Sequence, residues 1–98
     1  SEAAGGELVT PPVRFRGRLL RLNVNAAAAG RLRVAIERAD GRAIPGFTVE
    51  EADPIRGNQL SAVASWRGGS DVGSLALQPV RLRFTMDYCR LYAFQFGD

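Results

Sequence analysis

The chain has 98 residues, of which 46% are hydrophobic and 23% charged, and its formal net charge is +3. This length fits one domain over residues 1–98, and so high an apolar fraction argues against intrinsic disorder. A single cysteine, Cys89, excludes an internal disulfide. No apolar run reaches the roughly 18 residues of a transmembrane helix. These features predict one globular domain.

Two residue types are missing from the sequence. There is no histidine, which removes the usual general base and the commonest metal ligand. There is also no lysine, because all thirteen basic residues are arginine, and this excludes Schiff-base chemistry. We therefore predict no catalytic residues, no cofactor and no metal site in this chain.

The ends of the sequence suggest a piece of a larger protein. The chain begins at Ser1, and its only methionine is Met86. We therefore expect a fragment of a longer chain. Its compartment stays open, and a parent protein that acts on polysaccharide would be secreted or periplasmic.

Alternation of apolar and polar residues predicts strands along most of the chain. In chain order, the segments read as strands are 7–10, 18–25, 31–39, 47–50, 62–66, 80–86 and 91–96. The alanine run 26–29 is read as a loop, residues 70–77 as a loop with one helical turn, and 87–90 as a turn. About seven short strands with frequent turns predict an all-β fold, an antiparallel two-sheet sandwich of jelly-roll type.

Carboxylates are the remaining acid/base candidates, and none stands out as a catalytic pair. A glycosidase needs two carboxyl groups facing each other across a cleft, whereas most of these acids fall in turns or at strand ends, where they cap and solvate. Asp53 or Asp71 with loop carbonyls could supply oxygen ligands to Ca²⁺, but the sequence contains no EF-hand loop. We therefore read the acids as turn-forming and solvated.

Arginines line the polar faces of the predicted strands. They are Arg21, Arg31, Arg33, Arg81 and Arg83. One interpretation is a surface for nucleic acid or another polyanion. The other is an ordinary solvated face, because stacking aromatics are not interleaved with these arginines. The second interpretation is favoured.

Aromatic residues near predicted turns suggest a carbohydrate site. Trp66 precedes a glycine-rich turn and could lie at an exposed rim, where Arg67 and Asp71 would bond sugar hydroxyls. Tyr88, in the predicted 87–90 turn, is a further candidate. The alternative, which we favour, is that Trp66 closes one end of the core with its N–H bonded locally.

The order of several motifs resembles a known family. The motifs are GELVTPP at 6–12, LNV at 22–24, GRLRV at 30–34, DGRAIPGF at 40–47, SWRGGSDV at 65–72, PVRLRF at 79–84 and LYAFQF at 91–96. Together they resemble the C-terminal β-sandwich of bacterial proteins related to glycoside hydrolase family 32, whose catalytic unit is a five-bladed β-propeller. The resemblance places the catalytic carboxylates in the propeller, so it assigns none to this chain.

The resemblance implies a non-catalytic accessory domain that packs against the propeller of its parent chain and stabilises it. The first alternative is a carbohydrate-binding module that holds an oligo- or polysaccharide at Trp66, Arg67, Asp71 and Tyr88. The second is an arginine-rich polyanion or nucleic-acid binder. The sequence does not indicate a membrane partner.

Overall fold

The computed structural model describes the backbone of residues 2–3 and 5–98 and the side chains of residues 5–98. Its strands are β1 (Glu2–Ala3), β2 (Gly6–Val9), β3 (Leu19–Arg38), β4 (Asn58–Val63) and β5 (Val80–Gly97). A short 3-10 helix covers Gly73–Leu75, which confirms the helical turn predicted in 70–77. Among the described residues, no helix has the length and apolar character needed to cross a bilayer.

All strands of the described chain pair antiparallel in one sheet, so the all-β prediction is confirmed. The order is β1-β5-β3-β4, and β2 also pairs with β5. The number of strands differs from the expected seven, because segments read separately at 18–25 and 31–39 form one strand, as do 80–86 and 91–96. Residues 47–50 are turns instead of a strand, held by hydrogen bonds between neighbouring residues.

The two long strands bend in the middle. Twenty residues of extended chain would reach about 66 Å at 3.3 Å per residue, whereas β3 has 20 residues and the longest dimension of the molecule is 36 Å. The register of β3 against β5 jumps between Ala26 and Arg31, opposite Tyr88. Tyr88 itself has a φ of 47°, in the left-handed region. The bend therefore lies at Ala26–Arg31 and Tyr88.

Both segments at the bend were predicted to interrupt the strands, and both predictions are wrong in detail. The alanine run 26–29 stays in β3 and 87–90 stays in β5. Gly30 shows why the two strands remain close here: a Cβ at this position would lie 2.3 Å from the Tyr88 carbonyl oxygen. The chain stays extended and changes direction through an irregular register instead of a loop.

The bend brings the apolar faces of both halves into one core. Leu20 and Leu22 before the bend and Leu32 and Ile36 after it are at most 1% exposed and belong to the same cluster. The other fully buried side chains of that cluster are Val24, Val34, Val72, Val80, Leu82, Phe84 and Cys89. The polar residues of the alternating pattern are left on the outer faces of the two halves.

Candidate functional site

Trp66 lies inside the molecule and not at an exposed rim. Its side chain is 5% exposed, its ring contacts Phe47 edge-on at 5.1 Å, and its Nε1–H donates to the Val34 carbonyl at 2.9 Å. This placement agrees with the interpretation that Trp66 is a core residue with its N–H bonded, but the bond is not local, because Val34 lies 32 positions away. Neither face of the indole is open for a sugar ring.

The neighbours predicted for Trp66 serve the local turn. Arg67 and Gly68, with φ of 50° and 82°, form a two-residue turn that Trp66 and Gly69 close with reciprocal backbone hydrogen bonds. The nearest carboxylate to Arg67 is Glu51, at 3.9 Å. Asp71 instead lies 3.8 Å from Arg18 beside a depression of about 360 Å³. In the Arg18–Asp71 pair both side chains are largely exposed, so the pair contributes little to stability.

Tyr88 sits at the bend of the long strands and is 56% exposed. No hydrogen bond, ion pair or ring contact among the described side chains joins it to Trp66, Arg67 or Asp71. The structure therefore brings Trp66 and Arg67 together in one turn and does not assemble the predicted four-residue constellation.

Two acidic residues, Asp53 and Glu51, accept hydrogen bonds within loops. Asp53 Oδ2 accepts hydrogen bonds from Ser65 Oγ at 2.6 Å and from Gly68 N at 2.8 Å. These bonds lower the pKa of Asp53, the Ser65 bond most strongly, although burial opposes the shift. Glu51 Oε1 accepts from Thr48 Oγ1 and from two backbone amides, which lowers the pKa of Glu51. Both acids are thus kept ionised, which suits turn stabilisation and not general acid catalysis.

The described residues contain no group of three or more potential metal-ligating side chains. The one cysteine offers no reactive thiolate either. Cys89 is 1% exposed, its Sγ lies 3.4 Å from the Arg31 carbonyl oxygen, and burial raises its pKa. A raised pKa keeps the thiol protonated and unreactive near neutral pH.

The predicted arginine stripe is divided between the two halves of the sheet. Beyond the bend, Arg83 contacts Glu37 at 2.8 Å and Glu7 at 2.9 Å, and Arg31 contacts Asp87 at 3.3 Å. Arg81 donates to two backbone carbonyls. Two of the five arginines, Arg31 and Arg83, are thus paired with carboxylates, as expected of a solvated sheet face.

The outer face before the bend has a different character. There, strands β4, β3 and β5 present Leu60 (86% exposed), Tyr92 (55% exposed) and the amides of Asn23 and Asn25. Two adjoining depressions, of about 220 Å³ and 230 Å³, both contain Asn23 and Leu60 in their walls. We call this surface the amide face.

A β-bulge exposes Tyr92 on the amide face. Asn23 pairs with Ala93 and the next residue of β3, Val24, pairs with Leu91, so Tyr92 is an extra residue without a partner on β3. The alternation in 91–96 had placed Tyr92 with Phe94 and Phe96 on the apolar side. The sequence signal for this surface was the pair of amides on the polar side of β3, but the bulge that adds Tyr92 depends on strand pairing.

No family model matches this chain, and no curated protein or solved structure is significantly similar to it.

Proposed function

We propose that this chain is a non-catalytic accessory domain of a larger glycoside hydrolase-like protein and that it packs against the catalytic propeller of that protein. In this proposal the bent sheet corresponds to a two-layer jelly-roll sandwich, with one half of β3 and β5 in each layer. The observation that carries the proposal is the open edge of β5 at residues 91–97.

The open edge is one side of a long strand. On its other side, residues 91–97 of β5 pair with β3. On the side of β5 away from β3, β2 pairs with residues 83–86 and β1 pairs with residues 89–90, and no strand of the described chain pairs with 91–97. The backbone donors and acceptors of this stretch are therefore available for pairing with another chain.

The open edge lacks two of the usual protections against such pairing, charge and proline, although it contains the bulge at Tyr92. Residues 91–97 read LYAFQFG and contain no charge and no proline. Exposed edge strands of independent domains generally carry charges, prolines or bulges that prevent edge-to-edge association. Phe94, 37% exposed, adds apolar surface to the edge. These features support an edge that is covered in the parent protein.

The direction of β1 also supports a contact with the propeller at the open edge. β1 runs antiparallel to β5, with Ala3 opposite Cys89 and Glu2 opposite Arg90. A segment preceding β1 in a longer chain would continue along the open edge past Leu91. The connection to the propeller and the contact with it would then lie together.

Self-association of the isolated chain tests the open edge. In the absence of the parent protein, this edge can pair only with a strand of another copy of the chain. Sedimentation equilibrium should show concentration-dependent association for the wild type. Gln95→Lys, which places a charge on the edge, should weaken association by about tenfold or more, because antiparallel pairing would bring like charges together. Gln78→Lys makes the same exchange at an exposed loop position and should associate like the wild type.

Three results would overturn the proposal. The first is a wild-type chain that remains monomeric up to roughly 1 mM, a concentration at which even weak pairing is detectable. The second is a Gln95→Lys variant that associates as strongly as the wild type. The third is turnover of glycosides by the isolated chain, which would contradict its non-catalytic role.

A further inference from the structure

The amide face combines two depressions that share a wall. One, of about 230 Å³, is lined by Asn23, Asn25, Tyr92 and Leu60 together with residues of β4. The second, of about 220 Å³, begins on the other side of Asn23 and Leu60 and includes Arg21. Consecutive depressions along the strands suit a ligand built of consecutive units.

The polar groups of this face suit a ligand rich in hydroxyls. Side-chain amides each present a donor and an acceptor, which is the combination that a hydroxyl group can satisfy in both directions. The amides of Asn23, Asn25 and Asn58 have no hydrogen-bond partner among the described residues, so they are available to a ligand. Gln59, by contrast, donates to the Arg56 carbonyl at 2.8 Å.

The charge on the face is small. Arg21 is the one charged residue that lines the two depressions in the described structure, and neither depression contains a carboxylate. A polyanion would need several cations to replace its counterions. This lining therefore favours a neutral ligand.

The apolar groups of the face suit a flat ring. The bulge leaves Tyr92 55% exposed, and Leu60 is 86% exposed at the boundary between the depressions. An aromatic ring with a polar edge can pack against the C–H face of a sugar while its hydroxyl remains hydrogen-bonded. Well-placed polar groups around an apolar platform are the usual composition of a ligand site.

We propose that the amide face binds a neutral oligosaccharide, with one sugar ring against Tyr92 and the next beyond Leu60. This site lies apart from the Trp66 turn. It does not rest on the accessory role, because it uses side chains on the outer face of the sheet, whereas the open edge would pair through its backbone, although both include residues of 91–97.

Affinity electrophoresis in gels containing inulin, xylan, galactomannan or β-glucan tests this site. At least one of these neutral polysaccharides should retard the wild-type chain. Tyr92→Ala should weaken retardation by about tenfold, and Asn23→Asp, which keeps the side-chain shape, should weaken it severalfold. Tyr88→Ala is the matched control, because Tyr88 is equally exposed (56%) but lies off the amide face; it should bind like the wild type.

The outcomes separate this site from its alternatives. Thermal melting of each variant shows whether it is folded. If Tyr92→Ala does not fold, the retardation of Asn23→Asp tests the site instead. The proposal is overturned if none of the four polysaccharides retards the wild type or if only dextran sulfate does so. Loss of retardation in Tyr88→Ala but not in Tyr92→Ala would also overturn it.

Discussion

At the scale of single residues, Asp53 connects the loop before β4 with the turn after it. Its carboxylate accepts from Ser65 on one side and from the Gly68 amide on the other. Because charge-assisted hydrogen bonds favour the ionised form, they lower the pKa of Asp53 below its ordinary value of 3.8. Ionised Asp53 therefore adds to the stability of this turn, beyond the backbone hydrogen bonds between Trp66 and Gly69.

Asp53→Asn should reduce stability in a pH-dependent way. A lowered pKa in the folded state contributes stability that is fully present above the unfolded pKa and is lost as the pH falls through the folded pKa. We therefore expect the variant to unfold at lower urea than the wild type near pH 7, and the difference to shrink below about pH 4. Urea unfolding between pH 2 and 7 measures this.

Glu50→Gln provides the control, because Glu50 is exposed and its side chain forms no hydrogen bond among the described residues. It should follow the wild-type curve. If the stability of Asp53→Asn against urea differs from that of the wild type by the same amount at every pH, the hydrogen-bonded charge does not stabilise this turn.

At the scale of elements, the bend in β3 and β5 depends on the close approach of Gly30 to Tyr88. The main chain of Tyr88 occupies the space in which any side chain at position 30 would begin. Tyr88 itself adopts a left-handed φ of 47°, although such a φ is unfavourable for a bulky residue. The two strands therefore bend together.

Gly30→Ala should destabilise the domain by about 2–4 kcal/mol, because backbone atoms at 2.3 Å cannot yield as a flexible side chain would. Urea unfolding gives the value. Gly69→Ala is the matched control: its Cβ would meet the Trp66 carbonyl oxygen at 3.5 Å, an ordinary contact, and the cost should be within about 0.5 kcal/mol. Equal stability of the two variants would contradict the tight packing at the bend.

At the scale of the whole molecule, the fold depends on pairing between distant parts of the chain. β3 and β5 join Leu19 to Gly97 and Arg38 to Val80, across about 40 to 80 intervening positions. Loop closure must precede most of the stabilising contacts, which slows folding.

We therefore expect single-exponential folding on the scale of milliseconds to seconds. Trp66 is the only tryptophan, and its burial against Phe47 and Val34 makes its emission a reporter of core formation. Stopped-flow refolding from urea measures the rate. Folding in microseconds would mean that local contacts dominate, contrary to this topology.

The sequence alone determined which large apolar residues of three segments face the core. Alternation in 18–25, 31–39 and 80–86 correctly separated Leu22, Val34 and Phe84 from the polar side, because the side-chain period of a strand is a local property. The absence of histidine and lysine likewise limited the available chemistry without any structure.

Tertiary structure decided how those strands join and what their surfaces present. Whether 26–29 forms a loop or a bent strand depends on the contact of Gly30 with a residue far along the chain, and the exposure of Tyr92 depends on its bulge against β3. The burial of Trp66 likewise requires its bond to Val34, 32 positions away. Such long-range contacts are not encoded in local alternation, so the bend, the open edge and the amide face emerge only when the distant strands pair.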